Sequence, residues 1–142
     1  MRRFGMMFGV VVLGVFVAAS VAVAVTKTCH DVPCNGTGNN DVLYERIGAN
    51  KRDHINGEDG RDVIDANTFN FDRDRLFGGR QGDKLLTNDT DSRDLAEGGR
   101  GRDTCFVSRG DAIRSCEVVR RGTFRSGTSN VLEDLSPEAF GQ

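Results

Sequence analysis

Gly98-Gly99-Arg100-Gly101-Arg102-Asp103-Thr104-Cys105-Phe106 brings three glycines, one aspartate and a short apolar run into nine residues. Glycines permit positive φ and expose backbone carbonyls, Asp103 adds a charged oxygen, and Thr104 to Phe106 favour extended backbone. The stretch therefore reads as a turn, a carboxylate and a strand. A hard cation wants that oxygen-rich arrangement.

The same frame, with an aspartate at its sixth position and an apolar residue at its eighth, recurs upstream. Residues 36–44 read GTGNNDVLY, 48–56 GANKRDHIN, 57–65 GEDGRDVID, 69–77 FNFDRDRLF, 78–86 GGRQGDKLL and 89–97 DTDSRDLAE. Asp111 and Ile113 keep the carboxylate-to-apolar spacing but arrive one residue early. The aspartates at 41, 53, 62, 74, 83, 94, 103 and 111 are separated by 12, 9, 12, 9, 11, 9 and 8 residues. Such alternation fits a coil with two units per turn. Asp41, Asp62, Asp83 and Asp103 then stack on a compact side, and Asp53, Asp74 and Asp94 on a side with longer loops. Short insertions, Glu45 to Ile47, Ala66 to Thr68 and Thr87-Asn88, precede the second side. Position eight supplies a narrow core: Leu43, Ile55, Ile64, Leu76, Leu85, Ala96, Cys105 and Ile113.

This series resembles the RTX, or hemolysin-type, family of calcium-binding repeats, whose nonapeptide GGxGxDxUx builds a parallel β-roll. Only Gly98 to Phe106 keeps every glycine. Glu58 stands at the second glycine of its copy, Gln81 and Asn39 at the third, and the 69–77 copy has none. The resemblance implies an all-β fold, a right-handed parallel solenoid of about four short turns over residues 36–118. It also implies Ca²⁺ held between successive turns by the aspartates and loop carbonyls. The implied ligands are Asp41, Asp62, Asp83 and Asp103, with Gly57, Gly60, Gly78, Gly98, Gly99 and Gly101. Asp53, Asp74 and Asp94 form a weaker set, because Lys51, Phe69, Phe71 and Asp89 are poor cradle residues. Arg52, Arg61, Arg73, Arg93 and Arg102 directly precede five of the aspartates, where the family usually carries Asn, Gly or Asp. A guanidinium folded back onto the carboxylates could replace the cation.

Of the 142 residues, the first 24 read as a secretory signal: Arg2 and Arg3, an apolar run, then Ala22-Val23-Ala24. An uncleaved membrane anchor is the alternative, since Phe4 to Val25 is almost uninterrupted and long enough to cross a bilayer. Past residue 24 the chain carries 17 Lys plus Arg against 21 Asp plus Glu, a net charge of −4, with no Trp and one Tyr. Interleaved Arg and Asp argue against a nucleic-acid surface. So few large apolar residues cannot assemble a broad core, so staples are required. Cys29, Cys34, Cys105 and Cys116 supply them in an exported protein. Of the three pairings open to four cysteines, Cys29–Cys34 with Cys105–Cys116 is preferred. Residues 25–35 read as an N-terminal disulfide loop and 119–142 as a disordered tail.

Neither His30 nor His54 has a nucleophile or carboxylate partner at a defensible spacing, and the carboxylates are periodic rather than paired. The expectation is a secreted, non-enzymatic calcium-binding roll with a structural or interaction role, partnered by calcium and an extracellular protein or surface polymer. The competing expectation is a calcium-independent, disulfide-capped solenoid that binds a protein or surface polymer.

Overall fold

A computed structural model describes residues 23–30, 33–46, 52–67, 72–89 and 93–122. The expected signal or anchor, through residue 22, lies outside the described residues, as does the tail beyond residue 122. The described chain forms eleven short strands: β1 (Thr26–Cys29), β2 (Pro33–Asn35), β3 (Val42–Glu45), β4 (His54–Asn56), β5 (Val63–Asp65), β6 (Arg75–Arg80), β7 (Lys84–Thr87), β8 (Leu95–Arg100), β9 (Thr104–Val107), β10 (Ala112–Arg114) and β11 (Val118–Arg121).

Odd-numbered strands form one sheet in the order β1-β3-β5-β7-β9-β11, and even-numbered strands another in the order β10-β8-β6-β4-β2. Pairing within both sheets is parallel throughout. Chain order alternates between the sheets, so each turn of the solenoid contributes one strand to each. The described strands begin at Thr26 and end at Arg121, which corrects two expectations. Residues 26–29 and 33–35 belong to the first coil instead of a separate loop, and Val119 to Arg121 belong to β11 instead of a tail. The nonapeptide frame missed both ends because neither carries its aspartate: Val25 precedes β1 and Glu117 precedes β11.

The position-eight residues face inward in unbroken rows. Leu43, Ile64, Leu85 and Cys105 are in register along one sheet. Cys34, Ile55, Leu76, Ala96 and Ile113 are in register along the other. All are buried except Ile113, which is partly so. Alternation of side chains across a strand gives the longer odd-numbered strands a second inward residue. That second row is Cys29, Glu45, Ala66, Thr87 and Val107, all buried. Glu45, Ala66 and Thr87 head the three segments that the spacing makes insertions, so each insertion starts inside the core.

Complete burial of a Leu or Ile contributes about 1.5–3 kcal/mol. One or two such residues per coil make a thin core, and both ends are fastened covalently. Cys29–Cys34 joins β1 to β2 with a Cα–Cα distance of 5.6 Å. Cys105–Cys116 ties β9 to the segment before β11 at 6.0 Å. The second bridge closes a loop of eleven residues, for which chain entropy gives roughly 3 kcal/mol on the entropic account. It braces the last coil of the described residues.

Candidate metal-binding ladders

Each aspartate of the series lies just before its strand, where a backbone N–H points along the solenoid axis with no strand partner. The carboxylate of the next coil takes it. Asp41 N–H donates to Asp62 Oδ1 at 2.7 Å, Asp62 N–H to Asp83 Oδ1 at 2.8 Å, and Asp83 N–H to Asp103 Oδ1 at 2.8 Å. The backbone carbonyl of each aspartate accepts from the residue after the next aspartate, as in Lys84 N–H to Asp62 O at 2.9 Å. Both ends of the column are completed: Val25 N–H donates to Asp41 Oδ1 at 2.6 Å, and Asp103 N–H to Glu117 Oε2 at 2.8 Å. Glu117 is a rung that the aspartate frame overlooked. Its place immediately before Val118, like Asp103 before Thr104, was the available signal.

A second column runs along the other side. Asp53 N–H donates to Asp74 Oδ1 at 2.7 Å and Asp74 N–H to Asp94 Oδ1 at 2.8 Å, while Asp94 N–H approaches Asp111 Oδ1 at 3.4 Å. Both groups of aspartates thus stack as the alternating separations imply, and Asp111 joins despite its early arrival.

One oxygen of each carboxylate is used in this way. The other is turned inward: Oδ2 of Asp62, Asp74, Asp83 and Asp103 is buried without a hydrogen-bond partner. On the compact side that oxygen lies over the first glycine of its own copy. A Cβ on Gly57 would fall 2.2 Å from Asp62 Oδ2 and 2.6 Å from Gly78 O. At Gly78 it would fall 2.4 Å from both Asp83 Oδ2 and Gly98 O, and at Gly98 2.5 Å from Asp103 Oδ2. Gly60, Gly99 and Gly101 serve the turn differently. Their φ values are 134°, 103° and 150°, and each packs on a carbonyl of the preceding coil, from Asn39, Gly79 and Gln81 respectively. The conformation outlives the glycines. Glu58 and Gln81, where the repeat erodes, both hold φ at 76°, in the left-handed region that disfavours side chains.

Asp41 differs, since Thr37 N–H donates to its Oδ2 at 2.5 Å and Thr37 Oγ1 to its Oδ1 at 3.2 Å. The first compact turn therefore satisfies its own carboxylate.

Burial is the main cause of raised carboxylate pKa values along both columns. Asp62 is pushed up to about 7, and Asp74 and Asp83 up to about 8. The backbone N–H bond opposes the shift in each case, and repulsion from neighbouring carboxylates adds to it. Asp103 is raised as well, by burial and then by Glu117.

Sequence reasoning also missed a cluster on the second side. One carboxylate oxygen from each of Glu45, Asp72 and Asp74 lies within 4.8 Å of the other two. Asp74 is a predicted ligand. Glu45 enters from the second inward row of β3, and Asp72 from the loop before β6. The signal for Glu45 lay in its spacing, two residues beyond the core residue Leu43 on the same face of the strand.

Arg52, Arg61, Arg73, Arg93 and Arg102 are exposed, and none hydrogen-bonds to the inward Oδ2 of Asp62, Asp74, Asp83 or Asp103. Strand alternation explains this, because a residue adjacent to an inward aspartate points out.

Comparison of the chain with family models, curated proteins and solved structures returns no match.

Proposed function

We propose that this chain is an exported calcium-binding β-roll of the RTX type, in which Ca²⁺ neutralises the aspartate columns and fastens successive turns together. The observation that carries the proposal is the set of buried, partnerless Oδ2 atoms of Asp62, Asp83 and Asp103 on the compact side. Each sits in a cradle that even one methyl group on the adjacent glycine would fill. A buried ionised carboxylate without a partner is costly, so it must take up a proton or meet a cation.

The donors converging there are carboxylate and backbone carbonyl oxygens, a hard set suited to Ca²⁺ and foreign to zinc or copper. Mg²⁺ keeps several waters and demands near-ideal octahedral geometry, whereas stacked carboxylates and carbonyls offer the many protein oxygens that Ca²⁺ takes. Asp62, Asp83 and Asp103, with the carbonyls of Gly57, Gly78 and Gly98, would hold the ions on the compact side. Glu45, Asp72 and Asp74 would hold one on the other. Bound Ca²⁺ would supply positive charge and multiple oxygen coordination in place of the protons that burial favours on Asp62, Asp74, Asp83 and Asp103. The affinity expected for an extracellular module is about 10⁻⁴ to 10⁻³ M. Two disulfides suit an oxidising compartment.

The test is calorimetric titration of the oxidised protein with Ca²⁺, alongside circular dichroism with and without chelator. Binding heat together with a calcium-dependent rise in Tm is expected. No heat and an unchanged melting curve would refute the proposal.

A further inference from the structure

The outward arginines on the second side form a surface of their own. Arg52, Arg73, Arg75, Arg93 and Arg114 line one groove of about 250 Å³. All five are exposed. Arg52, Arg73 and Arg93 each precede one rung of the Asp53–Asp74–Asp94 column, so they repeat at the strand spacing of about 4.8 Å. Arg75 follows Asp74 on the outer face of β6, and Arg114 closes the groove from β10.

Among the described residues, Arg52, Arg73, Arg75 and Arg93 make no ion pair with a carboxylate, whereas Arg114 lies 3.7 Å from Glu97. Asp74 and Asp94 also line the groove, but both are buried, with carboxylates committed to the column. The positive charge is therefore local, on a chain whose net charge is −2. Four guanidinium groups without an ion pair among the described residues repel one another, and a solvated surface does not need them in register.

We infer that this groove binds a linear acidic polysaccharide, whose anionic groups repeat along the chain as the arginines repeat along the solenoid axis. The planar guanidinium fork matches carboxylates bidentately and serves related oxyanions in the same way. An extended polymer laid along the axis would meet one arginine per coil. Among the described residues no aromatic ring lines the groove, and base stacking is the usual sequence-tolerant anchor for single-stranded nucleic acid, which is therefore disfavoured. The disulfides also suit an oxidising compartment. The inference does not depend on which cation, if any, fills the columns.

The experiment uses the full oxidised chain at one fixed calcium concentration, with heparin as a carboxylated and sulfated probe, neutral dextran, and oligothymidylate. Heparin should bind at about 50 mM salt and weaken as salt rises, as polyelectrolyte contacts do. Arg73→Gln/Arg93→Gln should lower its affinity at least about tenfold, a loss of roughly 1.4 kcal/mol. Arg52→Gln/Arg75→Gln should give a comparable loss by an independent route. Arg102→Gln, an exposed arginine outside the groove, should stay within about twofold, with all variants keeping the parent dichroism spectrum. Absence of heparin binding, an equal loss in Arg102→Gln, or tighter binding of oligothymidylate than of heparin would each overturn the inference.

Discussion

Replacing Asp83 by Asn should move stability in opposite directions with and without calcium. Asp83 occupies a central position on the compact side: its Oδ1 accepts from Asp62 N–H, and its own N–H donates to Asp103. Burial raises its pKa first, and the charges of Asp62 and Asp103 raise it further. At a strand spacing of about 4.8 Å, two unit charges repel by roughly 3 kcal/mol at an effective dielectric near 20. In chelator at alkaline pH no proton relieves that repulsion, so the variant, which removes the charge, should gain about 1–3 kcal/mol. Asparagine still accepts the Asp62 N–H and carries no charge, so the backbone ladder survives. At about 10 mM calcium, an ion with a Kd between about 0.1 and 1 mM contributes about 1.4–2.7 kcal/mol through mass action. The variant should forfeit that contribution at both flanking sites, Asp62–Asp83 and Asp83–Asp103. One kcal/mol corresponds to about 4–8 °C in a domain of this size. Thermal melts followed by circular dichroism should therefore cross: Asp83→Asn above wild type in chelator and below it in calcium. A variant that melts lower than wild type in chelator, or that keeps the full calcium increment, would show that the inward oxygens do not await a cation.

Gly78→Ala should destabilise the protein by about 2 kcal/mol or more, because its Cβ would meet Gly98 O and Asp83 Oδ2 at 2.4 Å. Gly122→Ala, with nothing within 4 Å, should stay within about 0.5 kcal/mol, and denaturant unfolding of the pair checks the difference. The metal-free protein should lose stability as pH rises. Asp62, Asp74 and Asp83 have folded values near 7 to 8 against 3.8 when unconstrained, so the folded state holds protons the unfolded state releases. The stabilisation is complete below about pH 4 and disappears as pH passes through 7 to 8. Melts in chelator at low and high pH test this, and a higher Tm at high pH would contradict it. Calcium affinity should rise across the same interval, since the ion needs the deprotonated carboxylates.

The repeat was legible because position six and position eight answer to separate requirements of one coil. An inward aspartate takes the N–H left over at each turn, and an inward apolar residue two places later fills the space between sheets. Those requirements leave a period even where the glycines have gone, as at Asp74 and Leu76 in a copy without any. The ends were hidden because the first and last described coils carry other residues at the repeat's positions. Lys27, in register with Leu43, is exposed, and no aspartate of the series precedes β1. Likewise Glu117, one methylene longer than aspartate, completes the last rung from a position that the nine-residue spacing does not reach. Glu45 escaped for another reason. Its segment looks like loop insertion when compared with the nonapeptide, yet strand alternation continues past the motif by one inward place.

That extra place distinguishes the two sides of the roll. Ala66, Thr87 and Val107 can occupy it without a charge, and Thr87 Oγ1 donates to Asp111 Oδ2 at 3.1 Å, so the later coils satisfy their second-side turn through protein groups. Ser108 N–H reaches the same Asp111 oxygen at 2.7 Å. At the third strand the equivalent residue is Glu45, whose carboxylate meets those of Asp72 and Asp74. Three carboxylates this close repel one another when ionised, while the hydroxyl pairing two coils on brings no charge. The second side is thus graded along its length, with the acidic demand concentrated around Asp74 and relieved toward Asp111. The compact side repeats its glycine and aspartate arrangement at successive coils. A cation requirement should accordingly be distributed along the compact side and focused near Glu45 on the other.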